Sequence, residues 1–442
     1  MRLVKQLINR RGSSAVFLAM AFTAFAICIV GSIGISRQMV IQSECEAFGK
    51  IWTRAILSEY DRHLLSDYGI MAYFGNEIEV RNRIDHYLGY SAEGKLDADF
   101  GKTGADLTGY ELGEPDNFRT AMKKGAAGTV VGSLINGVSR TIRENAINSG
   151  DESISGEVED RKINNTVVLD TLPSAGIGNS IDTDSIIERA KSLGESGSPM
   201  SLISGAGVDV AFIWQHFGNN VTVSDGGKAY FRNEWEYILC GKPSDETNLK
   251  SCRRKLFLIR NALDLASLYK DPAKVEILMT TAELITPGFG TATQVLLAEA
   301  WAALEAEKDL EDLYEGNQVP VLKSSDEWKT GLDRVLDSES VRKQLDEEAR
   351  GLLDENRDEL KQLDGIRTAG DVLTKGLNYD EHLLLMILSM KESTRLLRIM
   401  DLVQINMKYR YYRDFDLMEY YVGVRYTIRA QGRDYYFEDS YK

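Results

Sequence analysis

The run Ala15–Ile35 limits the fold of this chain more than any other feature, because it is 21 consecutive residues without a charge. At about 1.5 Å of rise per residue, a helix of that length covers roughly 31 Å, the thickness of a bilayer's hydrocarbon core. One membrane crossing is predicted. Arg2, Lys5, Arg10 and Arg11 precede the run with no acidic residue among them, whereas Arg37 is followed by Glu44 and Glu46. Basic flanks stay in the cytoplasm, so segment 1–14 is placed inside, 15–35 in the membrane and everything from Ser36 onward outside the cell. A cleaved secretory signal has a shorter apolar core and an Ala-x-Ala-like site, which Ile35-Ser36-Arg37-Gln38-Met39 does not offer.

Beyond the span the helical pattern continues. Phe48, Ile51, Trp52, Ala55, Ile56, Tyr60, Leu64 and Tyr68 recur mostly at steps of three and four, so the membrane helix is expected to run directly into a folded body. With 43% hydrophobic and 27% charged residues the chain can bury a sizeable core. Its net charge is -15, and no acidic residue lies before the end of the span, so the exported part is strongly acidic. That balance argues against nucleic acid and anionic lipid surfaces as partners and is sufficiently explained by solubility.

The body reads as α+β and mainly helical. Segment 36–147 is its first part: the spine helix, a strand or packed loop at Asp67–Gly75, a helix at Glu77–Leu88, a strand within Asp97–Gly113 and a helical run Phe118–Ile147. Segment 148–206 is crowded with Ser, Gly, Asp and Asn and broken by Pro173 and Pro199, which reads as a flexible insertion. Segment 207–442 is the main helical part. In it, Lys228–Cys240 suits extended packing by its aromatic content, and Ser244 or Asp245 can cap the helix that follows. That helix carries a heptad seam, Leu249, Cys252, Leu256, Ile259, Leu263 and Ala266, of the kind found inside bundles. Helices are expected at Lys274–Leu284, Ala292–Tyr314 and Asp380–Tyr409, with an exposed charged helix along Ser338–Leu363. Leu417–Arg429 alternates as a strand with one buried face, and Gln431-Gly432 turns it into a closing hairpin.

Motifs that carry chemistry are scarce. His63, His86, His216 and His382 are not within ligand spacing of one another or of a cysteine, which points to no metal site. Lys123-Lys124-Gly125-Ala126-Ala127-Gly128-Thr129 has its lysines before its glycines, the wrong order for a phosphate loop. Ser204 lacks the flanking glycines of a hydrolase elbow. The expectation is a protein that is not an enzyme and uses no cofactor. Cys28 sits in the span. Of the three remaining cysteines, Cys240 and Cys252 flank the turn-rich Gly241-Lys242-Pro243-Ser244-Asp245, and both a disulfide and a pair of buried thiols remain open for them.

The stretch Asn233-Glu234-Trp235-Glu236-Tyr237-Ile238-Leu239-Cys240-Gly241-Lys242-Pro243-Ser244-Asp245-Glu246-Thr247-Asn248-Leu249 resembles an uncharacterised family of Firmicute single-span membrane proteins encoded with tight-adherence (Tad) pilus components. Further stretches agree in order: Gly12–Phe17 with the span, Leu57–Ile70, Ala300-Trp301-Ala302 leading to Val319-Pro320-Val321, and Tyr379 through Leu402 to Val424. Arg10-Arg11-Gly12-Ser13-Ser14-Ala15-Val16 also resembles the leader junction of type IV pilins and of Tad pseudopilins, cut after Gly12 to leave Ser13 first. Those families carry a glutamate five residues past the cut, where this chain has Phe17. The resemblance implies a Gram-positive cell envelope, pilin or pilus-platform proteins as partners and a minor pilin-like or scaffold role; the membrane or spine helix also offers a face for self-association. A cell-surface binding module or adhesin is the alternative.

Overall fold

The computed structural model describes residues 2–92, 99–135, 166–178, 185–186, 188–189, 207–222, 229–358, 360 and 376–441. Its chain divides into two units, one made of residues 1–62, 71–117 and 418–442, the other of 63–70 and 118–417. The architecture is mainly helical with a few antiparallel strands, a long apolar N-terminal helix and a C-terminal strand hairpin.

In the smaller unit, helix α1 (Arg2–Leu57) is unbroken. It contains the one described helix long and apolar enough to cross a membrane, and its apolar window has no buried residue. At Ile41 the environment changes, and Ile41, Cys45, Trp52 and Ile56 form a buried face at helical spacing, with Phe48 partly buried along it. What they meet is a three-stranded antiparallel sheet of β2 (Gly104–Asp106), β4 (Gly423–Ala430) and β5 (Arg433–Ser440), with β4 in the centre. Val424, Tyr426 and Ile428 point inward from β4 as the alternation requires. Tyr426 pairs with Phe437 across the hairpin. Both turn residues are left-handed, Gln431 at φ 50° and Gly432 at φ 75°, the conformation that matches the twist of a two-residue hairpin. Strand β1 (Tyr73–Phe74) pairs with β3 (Tyr420–Tyr421), and α3 (Glu77–Ala92) adds Val80 and Ile84 to the core.

One contact ties α1 to the hairpin. The Tyr426 hydroxyl donates to the carbonyl of Gly49, Thr53 Oγ1 donates to the same carbonyl at 2.8 Å, and a Cβ on Gly49 would overlap the Phe437 ring. A glycine lets the helix backbone approach an aromatic face directly.

The larger unit contains α2 (Arg62–Tyr68, from His63), α4 (Pro115–Ile135, from Phe118) and α5 (Val208–His216). Three further helices, α6 (Glu234–Cys240), α7 (Asp245–Lys270) and α8 (Pro272–Ile285), lead to α9 (Gly290–Tyr314). Short helices follow: α10 (Leu332–Asp337), α11 (Glu339–Gln344) and α12 (Glu347–Glu355). The last two are α13 (Tyr379–Leu388) and α14 (Glu392–Arg410). Ser244 caps α7 by accepting from the Thr247 amide, and Cys252, Leu256, Ile259 and Leu263 of the heptad seam are buried. Helices α7, α8 and α9 enclose one core with Leu268, Leu278, Leu297, Trp301 and Trp328.

Four expectations are corrected. The helical pattern carried through Tyr60, Leu64 and Tyr68 is not one helix: α1 ends at Leu57 and a separate helix begins at Arg62. Within Lys228–Cys240, residues 234–240 are helix, not extended chain, and all seven are buried. Aromatic content marks a strand only where a half-buried pleated surface is available, and here the segment is enclosed on every side. Ser338–Leu363 is not one solvated helix. Ser338 accepts from the Val341 amide and Asp346 from the Ala349 amide, each starting a new helix, and Val341, Leu345, Ala349, Leu353 and Leu360 belong to the core. Asp380–Tyr409 is two helices, interrupted at Ser389–Lys391. Of segment 148–206, residues 166–178 are described and packed: Leu172 and Ser174 are buried, and Thr166 bridges Ser244. The expected helix within 136–147 and the remainder of 148–206, apart from 185–186 and 188–189, lie outside the described residues.

Candidate functional site: the polar interior of the larger unit

Helix α6 carries acidic residues where a buried helix ordinarily has none. Glu234 and Glu236 are 1% and 0% exposed. Each is held by its own donors. Glu234 accepts from the Gly218 amide at 2.8 Å and the Asn406 side chain at 2.8 Å. Glu236 accepts from the Asn220 amide at 3.0 Å and the Tyr379 hydroxyl at 2.7 Å. Burial pushes both carboxyls up to about 7, against the downward pull of those hydrogen bonds. The second oxygen of Glu236 has no hydrogen-bond partner, and neither side-chain atom of Asn233 has one.

Carboxylates on neighbouring elements organise the rest. Asp245, the first residue of α7, accepts from the Arg232 and Asn233 amides at 2.8 and 2.9 Å and so fixes the entry to α6. Asp401 of α14 accepts from the Ser174 amide at 2.9 Å and the Tyr237 hydroxyl at 2.9 Å, holding residues 169–178 against α6. Asp380 takes Asn219 at 2.8 Å and Thr222 at 2.9 Å. Burial raises Asp245 and Asp401 as well. Such groups position backbone segments that have no regular secondary structure, because a buried amide without an acceptor is costly.

A second cluster lies between α7, α9 and the segment 320–330. Arg260 donates through Nε and Nη2 to Asp309 at 2.9 and 2.6 Å, through Nη2 to Asp264 at 2.8 Å and through Nη1 to the Pro320 carbonyl at 2.9 Å. Lys323 bridges Asp309 at 2.5 Å and Glu305, and Glu305 also accepts from the Lys329 and Thr330 amides. All five charged side chains are fully enclosed. Burial opposes charge on Arg260 and Lys323, yet their carboxylate neighbours raise both, and the same two cations hold Asp309 low despite its burial. Burial raises Asp264 well above the usual carboxylate range, against the downward pull of the Arg260 guanidinium. Beside this cluster the Lys274 ammonium lies 4.4 Å from the Trp301 ring centre and 4.5 Å from that of Trp328, an aromatic cage for a buried cation.

The candidate residues of the sequence fall as follows. Cys240 ends α6 and Cys252 lies in α7; both are fully buried free thiols within hydrogen-bond reach of each other. The contact with Cys252, helped by the Lys255 ammonium, lowers Cys240 against its burial, whereas the contact with Cys240 and burial raise Cys252. Cys45 is buried on α1, and Cys28 is exposed along the apolar stretch. Gly12 and Ser13 fall within α1. Burial pulls His216 and His382 down to about 4, so each is neutral near pH 7. Among the described residues there is no group of three or more His, Cys, Asp or Glu that could hold a metal ion.

Neither polar cluster is evident from motif spacing. A trace exists in α7, where Asn248, Arg260, Asp264 and Ser267 are buried alongside the apolar seam. Arg260 and Asp264 are four residues apart and share a helix face, the spacing of a solvated ion pair as much as of a buried one.

A family model described as "Family of unknown function (DUF5702)" matches residues 157–432, more than half of the chain. The match takes in α6 and both polar clusters and begins within segment 148–206. No curated protein and no solved structure matches the chain.

Proposed function

The chain belongs to the DUF5702 family, whose function is unknown, and from that premise we propose that it is a non-enzymatic scaffold carried on one membrane-spanning helix. Its N-terminus lies in the cytoplasm and its folded units outside. It serves a tight-adherence type pilus apparatus as a minor pilin-like component or a membrane-side assembly platform.

One observation carries this reading. Helix α1 passes without interruption from an apolar stretch with no buried residue into packing beneath the C-terminal hairpin. A continuous helix has no hinge at the membrane surface, so a load or displacement in the bilayer is transmitted to the smaller unit. A spine helix covered along its outer half by an antiparallel sheet suits the pilin-like role. The basic residues at 2, 5, 10 and 11 favour the orientation. Phe17, in the place of the pilin glutamate, and the bulk of residues 118–417 favour a minor component over the repeating filament subunit.

The test is crosslinking in intact cells from a photoreactive residue at an exposed site on α1, Met39 or Ile51, followed by identification of the adducts. Pilin or pilus-platform adducts are expected. Adducts confined to extracellular ligands would replace the scaffold with an adhesin. The mass of the mature N-terminus separates a processed chain starting at Ser13 from an intact one.

A further inference from the structure

We propose that Cys240 and Cys252 close as a disulfide while the chain folds outside the cytoplasm, clasping α6 to α7. The inference rests on the outward placement proposed above, because a thiol pair of this kind stays reduced in the cytoplasm and oxidises beyond it.

The observation is the placement of the pair. Cys240 is the last residue of α6, and Gly241 follows in the left-handed conformation at φ 53°, where its amide returns to the Tyr237 carbonyl at 2.7 Å. The chain then reaches Ser244, which caps α7, and Cys252 sits two turns into that helix. Turn and cap are each set by local hydrogen bonds, so the two sulfurs are brought together by backbone geometry without a bond between them. They are in hydrogen-bond contact, and both are 0% exposed. Lys255 donates to the Leu239 carbonyl at 3.0 Å, a further bond between α7 and the end of α6 beside Cys240.

The chemistry is thiol–disulfide exchange with an exported oxidoreductase that bears a disulfide. The Cys240 thiolate attacks one sulfur of that disulfide, expelling the other as a thiolate and forming a mixed disulfide. The Cys252 thiolate then attacks the Cys240 sulfur and expels the second oxidoreductase thiolate. The chain loses two protons and two electrons, and the oxidoreductase gains them as two thiols. Because neither sulfur is accessible in the folded unit, exchange takes place before α6 and α7 close, and the finished bond is shielded from reductants.

The experiment uses the full chain from its own cells, quenched in acid, denatured and alkylated without reductant, then digested for mass analysis. The expected product is a Cys240–Cys252 linked peptide, lighter than the two free peptides by two hydrogens, that survives reductant applied to the native protein and yields to it only in denaturant. A parallel sample is reduced, unfolded and refolded in detergent with a glutathione redox buffer. Alkylation of both cysteines in cells and after refolding overturns the pairing. A link formed on refolding but absent in cells overturns the outward placement and leaves the pairing intact. In Cys240→Ser or Cys252→Ser, the remaining cysteine should be fully alkylated, and recovery of a link to Cys45 in either variant would mean that the pairing was not selective.

Discussion

Replacing Glu236 with glutamine should stabilise the larger unit, and by an amount that grows with pH. The carboxyl has an ordinary value of 4.5 and stands at about 7 in the folded chain. Below 4.5 it is protonated in both folded and unfolded chains, so it contributes no pH dependence. Between 4.5 and 7 the unfolded chain releases the proton while the folded chain retains it, and stability falls as pH rises, by about 1.4 kcal/mol per unit for one group. Above 7 the loss is complete, about 3 kcal/mol for a displacement of that size. Glutamine keeps an oxygen to accept from the Asn220 amide and the Tyr379 hydroxyl, and its amide nitrogen stands where the second carboxyl oxygen has no partner. It therefore mimics the protonated acid. Urea unfolding of the full chain in detergent, followed by tryptophan fluorescence, can be read through Trp235 on the same helix and Trp214, 5.5 Å from it. The expected difference between Glu236→Gln and the parent is within about 1 kcal/mol near pH 4 and a gain of about 1–3 kcal/mol near pH 8. A difference that does not change with pH, or that favours the variant more in acid, would refute the assignment of this group as a carboxyl held neutral by burial.

Other substitutions probe other parts of the interior. Arg260→Leu leaves Asp309 with Lys323 alone and takes the guanidinium from Asp264 and the Pro320 carbonyl inside a closed cluster, and should cost about 3–5 kcal/mol in urea unfolding; an unchanged midpoint would show that the ion cluster holds nothing. Gly241→Ala forces a side chain into the left-handed region and onto the Arg398 guanidinium, for an expected loss of about 1–3 kcal/mol by the same assay. Ser244→Ala removes the acceptor of the Thr247 amide and should lower stability by about 1 kcal/mol, whereas Ser244→Asp should keep most of it.

Legibility in the sequence followed the range of the interactions. Helix α1 as far as Leu57, the seam of α7, the Ser244 cap and the hairpin turn at Gln431-Gly432 are each specified within a few residues of themselves, and each appears in the structure as the pattern implies. Helix α6 reads as extended chain because its aromatic residues suit a strand, and the donors that hold Glu234 and Glu236 inside lie far along the sequence, on Gly218, Asn220, Tyr379 and Asn406. The break at Ser389–Lys391 contains neither glycine nor proline and so gave no signal in the apolar period. The caps at Ser338 and Asp346 were visible as residue types, but the charge around them suggested a single solvated helix. The turn between Cys240 and Cys252 pairs them, and the place of Cys252 in the apolar seam agrees with the enclosure of both.

The smaller unit is assembled from the two ends of the chain, with Trp52 and Ile56 of α1 sharing one core with Val424, Tyr426 and Phe437. During synthesis α1 emerges ahead of residues 58–422, and β4 and β5, which cover it, emerge only after them. For nearly the whole of that interval its apolar flank is bare and open to chaperones or to aggregation. A ribosome stalled before residue 433 would release a chain without β5, and quality-control proteases would have an unshielded helix by which to recognise it.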